Sequence, residues 1–125
     1  SGQMAVLSAA SGREVKRISG NGPCVNDLCM TRQGRLLLCG GDNKVVRLWD
    51  GGTNAWTSLP GGHQGVIFAS RMSPDGKFAA TGSADTTVKI WDVHGGKEIH
   101  SLAGHTAAVP GVDFSHDGRF LVSAA

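Results

Sequence analysis

Apolar positions alternate with charged ones through Val46-Arg47-Leu48 and again through Val88-Lys89-Ile90, a period of two that predicts strands with one face in a core. The apolar runs are short, and three glycine-bearing segments interrupt them: Thr31-Arg-Gln-Gly-Arg35, Ser73-Pro-Asp-Gly-Lys77 and Ser115-His-Asp-Gly-Arg119. Each lies between two apolar runs, so each predicts a hairpin turn. The pattern as a whole predicts an all-β chain.

These features recur at a fixed distance. Trp49-Asp50 and Trp91-Asp92 are 42 residues apart, and Cys39 to Asp50 aligns without a gap on Thr81 to Asp92. Ahead of each hairpin stands Gly20-Asn21, Gly62-His63 or Gly104-His105, always with the Asn or His 14 residues before the Arg or Lys that closes the turn. A Gly-His pair, an apolar strand, Ser-Pro-Asp-Gly, a small-residue strand and a terminal Trp-Asp together resemble the WD40-repeat family, over the whole chain. The resemblance implies propeller blades of four antiparallel strands, with strands near 24–30, 35–40, 44–49 and 55–59 recurring 42 residues later. It also implies a buried hydrogen-bond chain in each blade, complete only in the middle repeat as His63, Thr81, Asp85 and Trp91. The first repeat has Asn21, Cys39, Asn43 and Trp49 at those places, and the third keeps only His105 and Ser123.

Composition adds limits. Nineteen Gly among 125 residues, with 18% charged, fit many tight turns. A formal charge of +2 gives no concentrated basic face for nucleic acid or an anionic membrane. No apolar run approaches the roughly 20 residues of a membrane helix, and the start of the chain lacks a signal-peptide pattern. Cys24, Cys29 and Cys39 are odd in number, which argues against a disulfide framework and for a reducing, cytoplasmic compartment. Five residues apart on a strand, Cys24 and Cys29 point to opposite faces, so they read as core cysteines and no metal site is expected.

The ends of the chain suggest how the repeats join. The third repeat stops at Phe120-Leu-Val-Ser-Ala-Ala125, the second strand of a blade; written after it, residues 1–9 align with 42–50, placing Ser8 at the Trp position and Ala9 at the Asp position. The expected organisation is therefore 1–9 as a third strand completing the last blade of a neighbouring copy, 10–50 as the first repeat, 51–92 as the second and 93–125 as a third lacking its third strand. Three blades cannot close a ring alone, so the fold class expected is an all-β propeller segment of three four-stranded blades closed by homo-oligomerisation, a trimer in preference to a dimer.

No nucleophile with a base, no carboxylate pair and no metal or cofactor cluster has suitable spacing, so a non-enzymatic chain is expected. The resemblance implies a scaffold for protein-protein interaction, using the narrow face around Gln64, Thr106 and Gly22 and around Asp42, Ala84 and Ser1. The rival expectation is a self-assembling structural ring with no partner but itself. The opposite face carries Arg32, Arg35, Lys77, His94 and Arg119, read as solvated turn charges. Pro110 is read as an edge-strand residue and Trp56, on an outer strand, as local packing.

Overall fold

The structure, a computed structural model, describes residues 3–19, 25–31, 33–39 and 44–125. Every regular element among them is a strand: β1 Met4–Leu7, β2 Glu14–Ile18, β3 Asp27–Met30, β4 Arg35–Cys39, β5 Val46–Asp50, β6 Ala55–Ser58, β7 Ile67–Met72, β8 Phe78–Ser83, β9 Val88–Asp92, β10 Lys97–Leu102, β11 Gly111–Phe114 and β12 Leu121–Ala124. They pair as two four-stranded antiparallel sheets, β3-β4-β5-β6 and β7-β8-β9-β10, flanked by two-stranded sheets β1-β2 and β11-β12. Two whole blades thus stand between two half-blades.

The turns explain why the Ser-x-Asp-Gly sequence recurs. Ser73 Oγ donates to Asp75 Oδ1 at 2.6 Å and accepts the Phe78 N–H at 2.9 Å, while Asp75 Oδ1 also accepts the Lys77 N–H at 3.0 Å. Ser115, Asp117 and Phe120 repeat this at 2.6 and 3.0 Å. Gly76 and Gly118 both sit at φ 72°, a left-handed backbone that a side chain would strain.

A second set of turns fixes the register of the outer hairpins. Gly12, Asn54 and Gly96 have φ of 69°, 58° and 66°, and their N–H groups donate to the carbonyls of Ser8, Asp50 and Asp92 at 2.8, 2.8 and 2.9 Å. Leu7 pairs with Glu14, Trp49 with Trp56 and Trp91 with Glu98. Leu7 therefore holds the Trp position and Ser8 the Asp position, which corrects by one residue the expectation that Ser8 and Ala9 would do so. A count carried across the chain ends misses this, because the Gly12 turn and the β1-β2 pairing set the strand. The slip decides which side chains are inside, because neighbours on a strand face opposite ways. Met4 and Val6 pack against Ile18, Trp49 and Trp56, whereas Leu7 is 59% exposed.

Three apolar seams hold the sheets face to face. Ile18 and Trp49 bury the first, joined by Met4, Val6 and Trp56. Val46, Leu59, Ile67, Ala79, Trp91 and Val93 form the second, between the two whole blades. Ala69, Ala80, Val88, Val109 and Val112 form the third, with Phe114 and Leu121 packed on it. Burying each Val or Ile contributes roughly 1.5–3 kcal/mol, so the seams are the main source of cohesion. Polar stitches add direction. Asp27 Oδ2 accepts from the Ser70 N–H at 2.7 Å and from Arg71 Nη1 at 3.2 Å, and Asn26 Nδ2 donates to the Ile67 carbonyl at 3.0 Å. At the third seam the Val109 N–H donates to the Ser83 carbonyl at 3.0 Å, and a Cβ on Gly82 would stand 2.6 Å from the Val109 carbonyl oxygen. Trp56 Nε1 donates to the Ser19 carbonyl at 3.3 Å, so this outer-strand indole ties its blade to the β1-β2 half-blade of the same chain.

Candidate interaction face

The middle blade brings His63, Thr81, Asp85 and Trp91 into one chain of hydrogen bonds. Trp91 Nε1 can only donate, and it meets Thr81 Oγ1 at 3.0 Å. Thr81 therefore spends its own proton on His63 Nε2, at 2.7 Å. That leaves the His63 proton on Nδ1, which donates to Asp85 Oδ2 at 2.9 Å. The order of donors from Trp91 onward fixes the histidine tautomer, and Thr87 Oγ1 stands 3.2 Å from the same Nδ1. Asp85 also accepts the Gln64 N–H at 2.8 Å, the Thr87 N–H at 3.0 Å and the Thr87 hydroxyl at 2.6 Å. Burial disfavours the Asp85 carboxylate, but these donors outweigh it and hold its pKa well below the usual range. Burial pushes the His63 pKa down, against the opposing pull of Asp85, so the ring is kept neutral.

The chain runs from the blade interior to its rim, and the rim carries the residues expected to meet partners. Gln64 follows His63 and is exposed, with its N–H tied to Asp85; Ala84 is exposed with its N–H on the Val66 carbonyl at 2.8 Å; Thr106 is exposed after His105. The structure thus places Gln64, Ala84 and Thr106 at the same end of the whole blade and its neighbouring half-blade. Gly22, Asp42 and Ser1, the other three expected there, lie outside the described residues, as do Asn21, Asn43, Cys24 and Arg32.

The neighbouring repeats solve the polar problem differently. In the third, His105 Nε2 and Ser123 Oγ are 2.8 Å apart. In the first, where Cys39 replaces the threonine, the Trp49 indole N–H turns to Asn54 Oδ1 at 3.3 Å, and Lys16 Nζ lies 4.8 Å over the ring. Sequence reasoning missed Asn54, although its place in the column of Gly12 and Gly96 marks it as a left-handed turn residue. It also missed Thr87, and above all Phe68, a large aromatic 42% exposed on an inner strand.

Clefts open elsewhere among the described residues. One, of about 290 Å³, is lined by Leu48, Trp49, Thr57, Val93 and His94; another, of about 370 Å³, by Cys29, Met30, Arg71, Met72 and His116. Burial pushes the Cys29 thiol up to about 11, which makes it a poor nucleophile. Among the described residues no group of three or more His, Cys, Asp or Glu could hold a metal, and no helix is long and apolar enough to cross a membrane.

Comparison with known proteins agrees with this geometry. Residues 12–50, 56–92 and 96–125 match the family described as "WD domain, G-beta repeat". The chain is similar to nuclear distribution protein PAC1-2 of Uncinocarpus reesii, 31% identical over 146 residues, covering 99% of this chain and 32% of that one. It is also similar to eukaryotic translation initiation factor 3 subunit I of Aspergillus oryzae, 34% identical over 106 residues, 85% of this chain and 31% of that one. Serine-threonine kinase receptor-associated protein of Gallus gallus is 33% identical over 94 residues, 75% of this chain and 27% of that one. The chain spans about a third of the length of these relatives. With three segments of one repeat family spread along it and antiparallel blades built from them, the chain belongs to the WD domain, G-beta repeat family.

Proposed function

We propose that this chain is a non-catalytic scaffold of a reducing, cytoplasmic compartment, which holds partner proteins on the rim formed by Gln64, Ala84 and Thr106, the face to which the sequence alone also assigns Gly22, Asp42 and Ser1. The observation that carries the reading is the coupling of rim to interior. Gln64 is held through Asp85 to a fully buried His63 side chain, so exposed groups stand on a rigid base, as a binding face requires. Two relatives bear names, an initiation factor subunit and a receptor-associated protein, that place those proteins in company with others. The test is affinity capture from cell extract with quantitative mass spectrometry, using the chain, a Gln64→Arg/Thr106→Glu variant and Lys77→Ala on an exposed turn. Proteins retained by the chain and by Lys77→Ala but lost from the rim variant support the reading; proteins retained equally by all three, or by none, overturn it.

A second reading, closure of the propeller by other copies of this chain, is favoured by the two half-blades. β11-β12 supply the first two strands of a blade and β1-β2 the last two. Transferring the β8-β9 register to them sets Leu121 opposite Leu7, Val122 opposite Val6, Ser123 opposite Ala5 and Ala124 opposite Met4. That sheet covers Phe120 and Val122, now 67% and 66% exposed, along with Leu7. Six blades follow from a dimer and nine from a trimer, with the trimer preferred. Mixing a Leu7→Cys preparation with a Leu121→Cys preparation under oxidation should yield a disulfide between those two positions, mapped by peptide mass spectrometry. A monomer at all concentrations in native mass spectrometry, without that cross-link, refutes it.

A further inference from the structure

We infer that the seam between β7 and β11 at the rim is an anchor point for an uncharged peptide segment of a partner protein that presents one apolar side chain, with Phe68 as the residue that receives it. This rests on the reading of the rim as the binding face, and names the chemistry of what binds there.

Phe68 stands out of its strand. The β7-β8 ladder pairs Ile67 with Ser83 and then Ala69 with Gly82, so Phe68 is the extra residue of a bulge and lacks a cross-strand partner. Its neighbours Ile67 and Ala69 are buried in two different seams, which leaves Phe68 as the exposed member of the run. The equivalent place 42 residues on is Pro110, also exposed, directly after Val109. Val109 is bonded to Ser83 and pressed on Gly82, the two residues opposite the bulge. Phe68 and Pro110 therefore lie on the two sides of one tightly stitched seam. Both are poor in donors: a phenyl ring offers none, and Pro110 has no N–H.

The charge around this point selects the ligand. In the loops that lead into β7 and β11 and in the β8-β9 turn, Gln64, Ala84, Thr106 and Ala107 are exposed and uncharged, and the charged residue that meets these loops, Lys44, does so through its backbone carbonyl at Gly62, six residues before Phe68. The nearby carboxylate, Asp85, is 12% exposed and already accepts four hydrogen bonds within its turn and network. The closest charges on β7 itself belong to Arg71, three residues and so about 10 Å farther along the strand, where the guanidinium is engaged by Asp27 and the Ser70 carbonyl. A charged residue brought to Phe68 would lose water and find no countercharge, whereas an apolar one would cover a ring that is now in contact with water. Gln64 and Thr106 supply an amide and a hydroxyl for the flanking peptide backbone, which suits an uncharged segment.

The test is panning of a random twelve-residue peptide library on the immobilised chain, then fluorescence anisotropy of the selected synthetic peptides. Enrichment of peptides with a Leu, Met, Phe or Trp in an uncharged frame is expected. Their affinity should fall at least tenfold with Phe68→Ala, persist within threefold with Phe68→Leu, and be untouched by Lys77→Ala. Because Phe68 is exposed, the variants keep the fold, which the near-ultraviolet circular dichroism of the buried tryptophans verifies. Peptides rich in charge, or peptides weakened by Gln64→Ala and Thr106→Ala but indifferent to Phe68→Ala, overturn the inference while leaving the rim as the binding face. Failure to enrich any peptide, or peptides indifferent to all three changes, overturns both.

Discussion

Replacing Thr81 by Val isolates the polar chain of the middle blade, because the two side chains have nearly the same shape and Thr81 is fully buried. No cavity forms, and the β-branched stem keeps its place in β8. What is lost is a hydroxyl that accepts from Trp91 at 3.0 Å and donates to His63 at 2.7 Å. Both partners are buried, so the indole N–H and His63 Nε2 are left unsatisfied at roughly 1–3 kcal/mol each, about 2–6 kcal/mol together. Against a typical total stability of roughly 5–15 kcal/mol, that is a large share. The assay is urea unfolding followed by tryptophan fluorescence, with the m-value checked to show that the same surface is exposed in both proteins. Thr81→Ser keeps the hydroxyl and should cost only about 1 kcal/mol for the missing methyl. Ser123→Ala in the third repeat, where one bond to a half-buried His105 is lost, should also cost about 1 kcal/mol. A cost for Thr81→Val no greater than that of Thr81→Ser or Ser123→Ala would refute the argument that the chain's worth lies in satisfying buried partners.

Three further outcomes are expected. Because the folded His63 has a pKa below its ordinary 6.5, the folded state binds fewer protons there, and stability should decline as pH falls below about 6.5; Asp85, whose pKa is depressed from 3.8, adds a second decline below about pH 4. A melting series from pH 8 to 3 checks this, and His63→Gln should flatten the upper part of the curve. Gly82→Ala should destabilise by several kcal/mol, since its Cβ would stand 2.6 Å from the Val109 carbonyl oxygen, and hydrogen exchange should show β11 and β12 losing protection first. Asn54→Ala should cost about 2 kcal/mol, from a left-handed turn residue and the Trp49 bond together, whereas Asn54→Gly, which keeps the turn and loses only the bond, should cost about 1 kcal/mol by thermal melting.

Much of the blade was legible because its determinants are local. Alternation gave β5 and β9, and the Ser-x-Asp-Gly segments gave the hairpins, since their side chains bond to their own turn. The strand ends moved by no more than about three residues: β3 starts at Asp27, where 24 was expected, and β5 runs Val46–Asp50. The network of His63, Thr81, Asp85 and Trp91 was legible only through resemblance, because its members meet across strands as far as 28 residues apart in sequence. What escaped depends on backbone geometry that no residue type announces. The bulge at Phe68 exposes a residue that alternation assigns to neither seam. The place of Leu7 at the Trp position follows from a turn at Gly12 and not from any likeness of leucine to tryptophan. Asp27 reads as an ordinary strand-end charge until Ser70 and Arg71 of the next blade are seen to close on it.

The matched segments and the blades are out of step: residues 56–92 hold β6, the outer strand of one blade, followed by β7, β8 and β9 of the next. The repeat of sequence and the unit of packing are therefore out of phase. Each matched segment is a covalent strap across a seam, so a blade cannot drift from its neighbour without dragging part of that neighbour's sheet along.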